Sequence, residues 1–195
     1  WNKLVPQYVH DPERKFNEIL VPTIDTVRAT WLLEQQVKIR QPVVLVGETG
    51  TSKTAVSQRF LRDLDTDKYL LLLTNFSSRT TSLDVQRNVE ANVEKRTKDT
   101  YGPPPGKRLL IFVDDMNMPQ VDTYGTQQPI ALLKLLLEKK GCYDRGKDLN
   151  WKKMQDIGFL AAMGKAGGGR NEVDPRFCSL FSVFCVTFPA QEALY

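Results

Sequence analysis

Histidine is almost missing from this 195-residue chain, which carries one, His10, and cysteine is sparse, at Cys142, Cys178 and Cys185. One imidazole and three thiols without metal-ligand spacing exclude a His- or Cys-built metal centre, and an odd count excludes a fully paired disulfide framework. The thiols therefore read as reduced and partly buried, in a reducing compartment. His10, in the polar leader Val9-His10-Asp11-Pro12, reads as a surface residue. No apolar run approaches the roughly 20 residues of a membrane span, and no signal-peptide core is present, so no membrane partner is expected. Neither sign of charge dominates: 27 basic against 23 acidic residues leave +4. Basic groups such as Lys95, Arg96, Lys98, Lys139 and Lys140 sit near helix ends without interleaved aromatics, which speaks against a nucleic-acid partner. There is no initiating Met, so a chain opening on Trp1 reads as a piece of a longer polypeptide. Internal repeats and low-complexity segments are absent as well. What remains is ordinary globular composition, 41% hydrophobic and 26% charged, at a length suited to one domain with a substantial core.

Against these absences one segment stands out. Pro42-Val43-Val44-Leu45-Val46 is followed by Gly47-Glu48-Thr49-Gly50-Thr51-Ser52-Lys53-Thr54 and then by an amphipathic pattern. Strand, glycine-bearing turn and Lys-Thr at a helix start make a phosphate cradle, because backbone N–H groups and a helix N-terminus face the anion and a lysine neutralises it. The pattern departs from G-x-x-x-x-G-K-[ST] at one place, where Ser52 stands at the second glycine. About 60 residues further on, Leu109-Leu110-Ile111-Phe112-Val113-Asp114-Asp115 ends a second apolar run in paired carboxylates. Phosphate transfer needs such a strand end, since Mg²⁺ takes hard oxygen ligands and a water must be oriented at the terminal phosphate. The two motifs together point to a nucleoside triphosphate site, with Gly47 to Thr54 as the cradle and Lys53 on the outer phosphates. Thr54 and Asp114 would hold Mg²⁺, and Asp115 takes the place of the catalytic base.

Short apolar runs alternate with helical patterns, the mark of a parallel sheet with crossover helices. Strands are expected at Val43–Val46, Tyr69–Thr74, Leu109–Val113, Ile157–Met163 and Phe181–Phe188, covered on both faces. Helices are expected near Val27–Val37, with Thr26 or Asp25 as N-cap, and over Thr54–Leu64, Leu83–Lys98 and Gln128–Lys140, the last stopped by Gly141. The density of Leu132, Leu133, Leu135, Leu136 and Leu137 predicts a helix buried on more than one side. Tyr101–Lys107 is a stiff loop, and Cys142–Gln155 carries the features of a hairpin insert.

A tandem acidic pair and a late arginine before the last strand point to the AAA+ division of P-loop NTPases. More specifically, Val21-Pro22-Thr23-Ile24-Asp25-Thr26-Val27-Arg28, Asn75-Phe76-Ser77-Ser78, Phe112-Val113-Asp114-Asp115-Met116-Asn117-Met118-Pro119, Tyr124-Gly125-Thr126-Gln127 and Gly167-Gly168-Gly169-Arg170-Asn171 resemble the dynein heavy chain. The likeness covers essentially the whole chain and is to the third of the six AAA+ modules, of axonemal type. It implies a large α/β subdomain with a five-stranded parallel sheet sandwiched by helices over residues 41–195, a leader and helix over 1–40, and no helical lid. By the same resemblance Leu20 to Thr23, including Val21 and Pro22, pack on adenine, and Asn75 restrains the catalytic acid. Arg176 is an arginine finger reaching the neighbouring module, with Arg170 its competitor for that role. ATP or ADP with Mg²⁺ is the implied ligand. The implied partners are the adjacent AAA+ modules and, for the intact motor, microtubules and other dynein chains in the cytoplasm and the cytoskeleton of the ciliary or flagellar axoneme.

Three departures predict slow turnover. Ser52 adds a Cβ beside the phosphate, tolerable if its backbone is right-handed helical. Asp115 is one methylene shorter than glutamate. Gly164 stands where the family places a polar residue on the terminal phosphate. Each departure is of a kind that costs about ten- to a thousandfold in rate. A regulatory nucleotide-binding module is therefore expected, the alternatives being a competent ATPase and a structural ring spacer.

Overall fold

The computed structural model describes residues 1–9, 19–146 and 148–189. His10 lies outside them. Five strands form one parallel sheet: β1 (Val43–Val46), β2 (Tyr69–Asn75), β5 (Arg108–Asp114), β8 (Ile157–Met163) and β9 (Ser182–Cys185), in the order β2-β5-β8-β1-β9. This is the expected parallel α/β architecture. The central strands β5, β8 and β1 are the near-continuous apolar runs that burial on both faces requires, whereas the edge strands β2 and β9 are only partly covered. The last strand accordingly spans four residues, shorter than the apolar run Phe181–Phe188 predicts.

Each face of the sheet carries its own core. On one face α1 (Ile24–Lys38) and α2 (Lys53–Arg62) bury Leu33, Val37, Val56, Phe60 and Leu61 against Leu45, Leu110, Phe112 and Leu160. On the other, α3 (Ser82–Glu90) and α4 (Gln128–Glu138) bury Val85, Val89, Ile130, Leu133 and Leu136 against Ile111, Val113 and Phe159. The leucine-dense α4 is buried along more than one stripe, since Leu132 joins Leu133 and Leu136 in the interior.

Several boundaries differ from expectation, each for a local reason. Helix α1 is capped by Thr23 rather than by Thr26 or Asp25: Thr23 Oγ1 accepts from the Thr26 N–H while Thr26 Oγ1 accepts from the Thr23 N–H, a reciprocal capping box. Helix α3 opens on the same device, Thr81 with Asp84, but ends at Glu90 rather than Lys98. There the Asn92 side chain donates to the Asn88 carbonyl at 2.8 Å and competes with a further helical turn. The chain turns instead into β3 (Glu94–Lys95) and β4 (Thr100–Gly102), so the stiff loop begins as a strand. Helix α4 stops at Glu138, two residues before expectation: Lys139 caps it and Lys140 takes the left-handed position at φ 51°. Gly141 is needed for a different reason, since a Cβ there would stand 2.5 Å from the Trp151 ring. The insert does form a hairpin, β6 (Gly141–Tyr143) with β7 (Trp151–Met154), and it joins β3 and β4 in a second, four-stranded sheet ordered β3-β4-β7-β6. A fifth short helix, α5 (Pro175–Cys178), precedes β9.

Candidate functional site

The carboxyl ends of β1, β5 and β8 converge beside the N-terminus of α2, the crevice in which open α/β sheets hold ligands. The β1–α2 loop is rooted by backbone. Gly47 N donates to Met163 O at 3.2 Å, and Val186 N donates to Val46 O at 2.7 Å. A Cβ at Gly47 would lie 2.2 Å from Val186 O, so only glycine fits between the ends of β1 and β9. Beyond this root the loop is left-handed at Gly50, φ 90°, and again at Ser52, φ 62°. The second value shows that the right-handed conformation under which a serine would be tolerated is not the one adopted: Ser52 occupies a glycine-type position as an L-residue, a strain of about 1–2 kcal/mol.

Lys53 opens α2 and turns back over the loop. Its Nζ donates to Gly47 O at 2.9 Å, Glu48 O at 2.6 Å and Thr51 Oγ1 at 3.1 Å. Its ammonium is held below the ordinary lysine range, first by burial and then by the charge of Arg170, against an opposing pull from Asp114 and Asp115. Thr54 Oγ1 donates to Asp114 Oδ1 at 3.1 Å, which pairs the two proposed metal ligands directly. The Asp115 N–H also bonds Asp114 Oδ1, at 3.0 Å, in a left-handed turn at φ 49°. Asp tolerates that region better than most L-residues, which suits an aspartate to this strand end.

Two cavities flank the loop. One, of about 300 Å³, is lined by Thr49, Gly50, Ser52, Lys53, Thr54, Asp114, Asp115, Gly164 and Arg170. The other, of about 220 Å³ and mainly apolar, is lined by Leu20, Val21, Thr23, Ala29, Leu45, Thr51, Val56 and Val186, and it shares Ser52 and Lys53 with the first. A polar chamber and an apolar one meeting at the phosphate loop match the two ends of a nucleotide. Pro22 does not line the apolar chamber; it faces a separate cavity against Leu4, Pro6 and Trp31.

Asn75 ends β2 in register with Asp114, is exposed, and makes no hydrogen bond to Asp115 among the described residues. Asp115 is instead met by Arg170, whose Nη2 lies 3.3 Å from Oδ1. Arg176 projects from α5, exposed and outside both cavities. Glu48 pairs with Lys165 at 2.9 Å on the rim. Sequence reasoning missed Val186 as a wall of the apolar chamber, since only the sheet order brings β9 beside β1. It named Arg170 without placing it in this cavity, although a glycine run leading to an arginine just after β8 was a signal in plain view.

A buried loop root, left-handed glycine-type positions, a lysine at a helix N-terminus and paired carboxylates at the end of a parallel strand of the same sheet define a class, the P-loop α/β domain. Comparison with known proteins narrows it: the family described as the P-loop containing dynein motor region matches residues 8–189. The chain is 72% identical over 195 residues to dynein axonemal heavy chain 10 of Homo sapiens, covering all of this chain and 4% of that protein. It is 58% identical over 194 residues to the dynein-1-alpha heavy chain, flagellar inner arm I1 complex, of Chlamydomonas reinhardtii, again all of this chain and 4% of the relative. It is 38% identical over 195 residues to dynein axonemal heavy chain 6 of Homo sapiens, at 100% and 5% coverage. The chain belongs to the P-loop dynein motor region family and spans about one-twentieth of the length of these relatives.

Proposed function

We propose that this chain is the large subdomain (residues 41–195, with the leader and helix of 1–40) of the third AAA+ module of an axonemal dynein heavy chain. In this reading the module binds ATP or ADP with Mg²⁺, turns it over slowly, and regulates a minus-end-directed microtubule motor of cilia and flagella. One observation carries the nucleotide assignment: Lys53, Thr54, Asp114 and Asp115 line a single cavity at the N-terminus of α2. The names of the similar proteins support the axonemal setting. Neighbouring modules, other dynein chains and microtubules are then the partners of the whole motor.

The donor set fits Mg²⁺. Thr54 and Asp114 offer hard oxygens 3.1 Å apart. The described residues contain no cluster of three or more His, Cys, Asp or Glu side chains able to cage a metal. Mg²⁺ at such sites is held by one or two protein oxygens with the remaining positions left to phosphate and water. When bound, it would neutralise charge on the outer phosphates. Within the chain, Lys53 supplies a cation to those phosphates, Leu20, Val21 and Thr23 receive the base, and Asp115 orients water. Arg176, exposed on α5, reaches a neighbouring module; Asn75, in register with Asp114 but not bonded to Asp115, is the residue that would restrain the catalytic acid. Slow turnover follows from the strain at Ser52, the short side chain of Asp115 where a glutamate would reach further, and the lack of a polar side chain at Gly164.

Calorimetric titration of the full chain with ADP and with a non-hydrolysable ATP analogue, both with Mg²⁺, tests the reading. Lys53→Ala is expected to weaken both by about ten- to a hundredfold, as loss of a charged hydrogen bond does. Equal affinity in parent and variant would overturn it.

A further inference from the structure

Arg170 has no part in the roles above, yet the chain goes to some length to place it. It follows Gly167, Gly168 and Gly169, whose φ values of 114°, 60° and 86° lie where L-residues are strained. Gly167 and Arg170 exchange both backbone hydrogen bonds, at 2.9 and 3.1 Å, closing a tight turn. The base of the turn is fastened to the β5 loop: Asn171 N donates to Asn117 O at 2.9 Å, and the buried Asn117 Nδ2 donates to Gly164 O at 2.9 Å. The side chain then lies across Gly164, where an added Cβ would come within 2.6 Å of Arg170 Cδ and Nε. Gly164 thus surrenders the position of a polar side chain, and a guanidinium fills the space.

That guanidinium is under-used. Nη2 meets Asp115 Oδ1 at 3.3 Å, a long contact for a charged pair, and the buried Nε has no hydrogen-bond partner. It shares the 300 Å³ cavity with Lys53, so two cations line the same space. Of the two carboxylates available to balance them, Asp114 is engaged by Thr54 and by the Asp115 N–H. An oxyanion entering the cavity meets a planar donor fork with donors to spare, the geometry suited to phosphate.

We propose that Arg170 reads the terminal phosphate within its own chain, resting on Asp115 beside a nucleoside diphosphate and transferring to the third phosphate of a triphosphate, which releases Asp115. This rests on the nucleotide-binding reading and deepens it, assigning to a loop arginine in cis the discrimination between triphosphate and diphosphate.

The test compares the affinity of the full chain for a non-hydrolysable ATP analogue with that for ADP, both with Mg²⁺. Arg170→Gln should lower analogue affinity about tenfold or more and change ADP affinity less than threefold. Asp115→Asn, which breaks the same ion pair from the other side, should raise analogue affinity about threefold or more. A merely structural ion pair would move both variants in one direction, and that result overturns the proposal. Gly164→Ala supplies an independent arm, because its methyl group pushes on the Arg170 side chain rather than on backbone. It should reproduce the loss of triphosphate preference with an unchanged melting temperature. An unaltered ratio of the two affinities in Arg170→Gln or Gly164→Ala sinks the role of Arg170 while leaving nucleotide binding intact. A parent chain that binds neither ligand sinks both.

Discussion

Lys152 in the small sheet stands between Glu90 at 3.1 Å and Asp144 at 3.3 Å and over the Tyr101 ring at 5.4 Å. Lys53, at the carboxyl end of the large sheet, donates to two carbonyls and a hydroxyl and has a guanidinium for a neighbour. Burial lowers the pKa of both. For Lys152 the two carboxylates more than offset it, and the ammonium ends above the ordinary range; for Lys53 the charge of Arg170 adds to the burial, and it ends below. The arginines repeat the contrast. Arg96 gives Nη1 to Asp156 at 2.6 Å and both Nε and Nη2 to Pro103 O, whereas Arg170 makes one long contact and leaves Nε unpaired. Cations that hold the fold together are matched by partners inside the chain. Those at the loop are not so matched, since Lys53 meets only neutral oxygens and Arg170 leaves Nε unpaired.

Substitutions on the two sides of this contrast should behave differently. The largest effect is expected at the root of the loop, where Gly47→Ala drives a methyl group into the Val186 carbonyl. Overpacking against backbone of this kind costs about 3 kcal/mol, to be read from denaturant unfolding; a loss below about 1 kcal/mol would mean that the ends of β1 and β9 are free to part. Next comes Arg96→Ala, which removes two donors from Pro103 O and leaves Asp156, among the described residues, with the looser Arg40 contact at 3.7 Å. Both side chains are partly exposed, so the expected loss is about 2 kcal/mol, with nucleotide affinity unchanged. A drop in affinity there would erase the distinction between the two kinds of cation. The smallest change is Ser52→Gly. Relief of left-handed strain exceeds the entropic penalty of glycine, giving a gain of about 0.5–1 kcal/mol and a melting temperature a few degrees higher. A variant less stable than the parent would show that the serine side chain contributes something the backbone angles do not reveal.

Much of the molecule was legible because its central strands advertise themselves: Val43–Val46, Leu109–Val113 and Ile157–Met163 are apolar on both faces, and the phosphate loop carries its own punctuation. The helix over 83–98 was not legible to its true end. Val85, Val89 and Val93 keep a helical stripe past the point where Asn92 breaks it, and Val93 packs against the same core from outside the helix. The apolar chamber was half legible, since Leu20 to Thr23 precede the first strand in sequence while Val186 reaches it only by way of the sheet order. Pro22 and Val21, adjacent in sequence, line different cavities, and no motif distinguishes the directions of neighbouring side chains in an irregular segment. Backbone sign is equally silent: nothing in the letters of Ser52 announces a left-handed residue except the glycine that is missing.

The closeness of Gly47 to Val186 has a mechanical meaning. With its first peptide pinned to Met163 on one side and packed against the end of β9 on the other, the loop has a root that cannot travel. Any adjustment to a change in what it holds must fall on the crest, at Gly50 and Ser52, where the backbone already sits in its less populated basin. The loop is therefore a short spring clamped at its base. Because the clamp is made of β8 and β9 themselves, displacement of either strand reaches the crest directly, with no side chain between to absorb it.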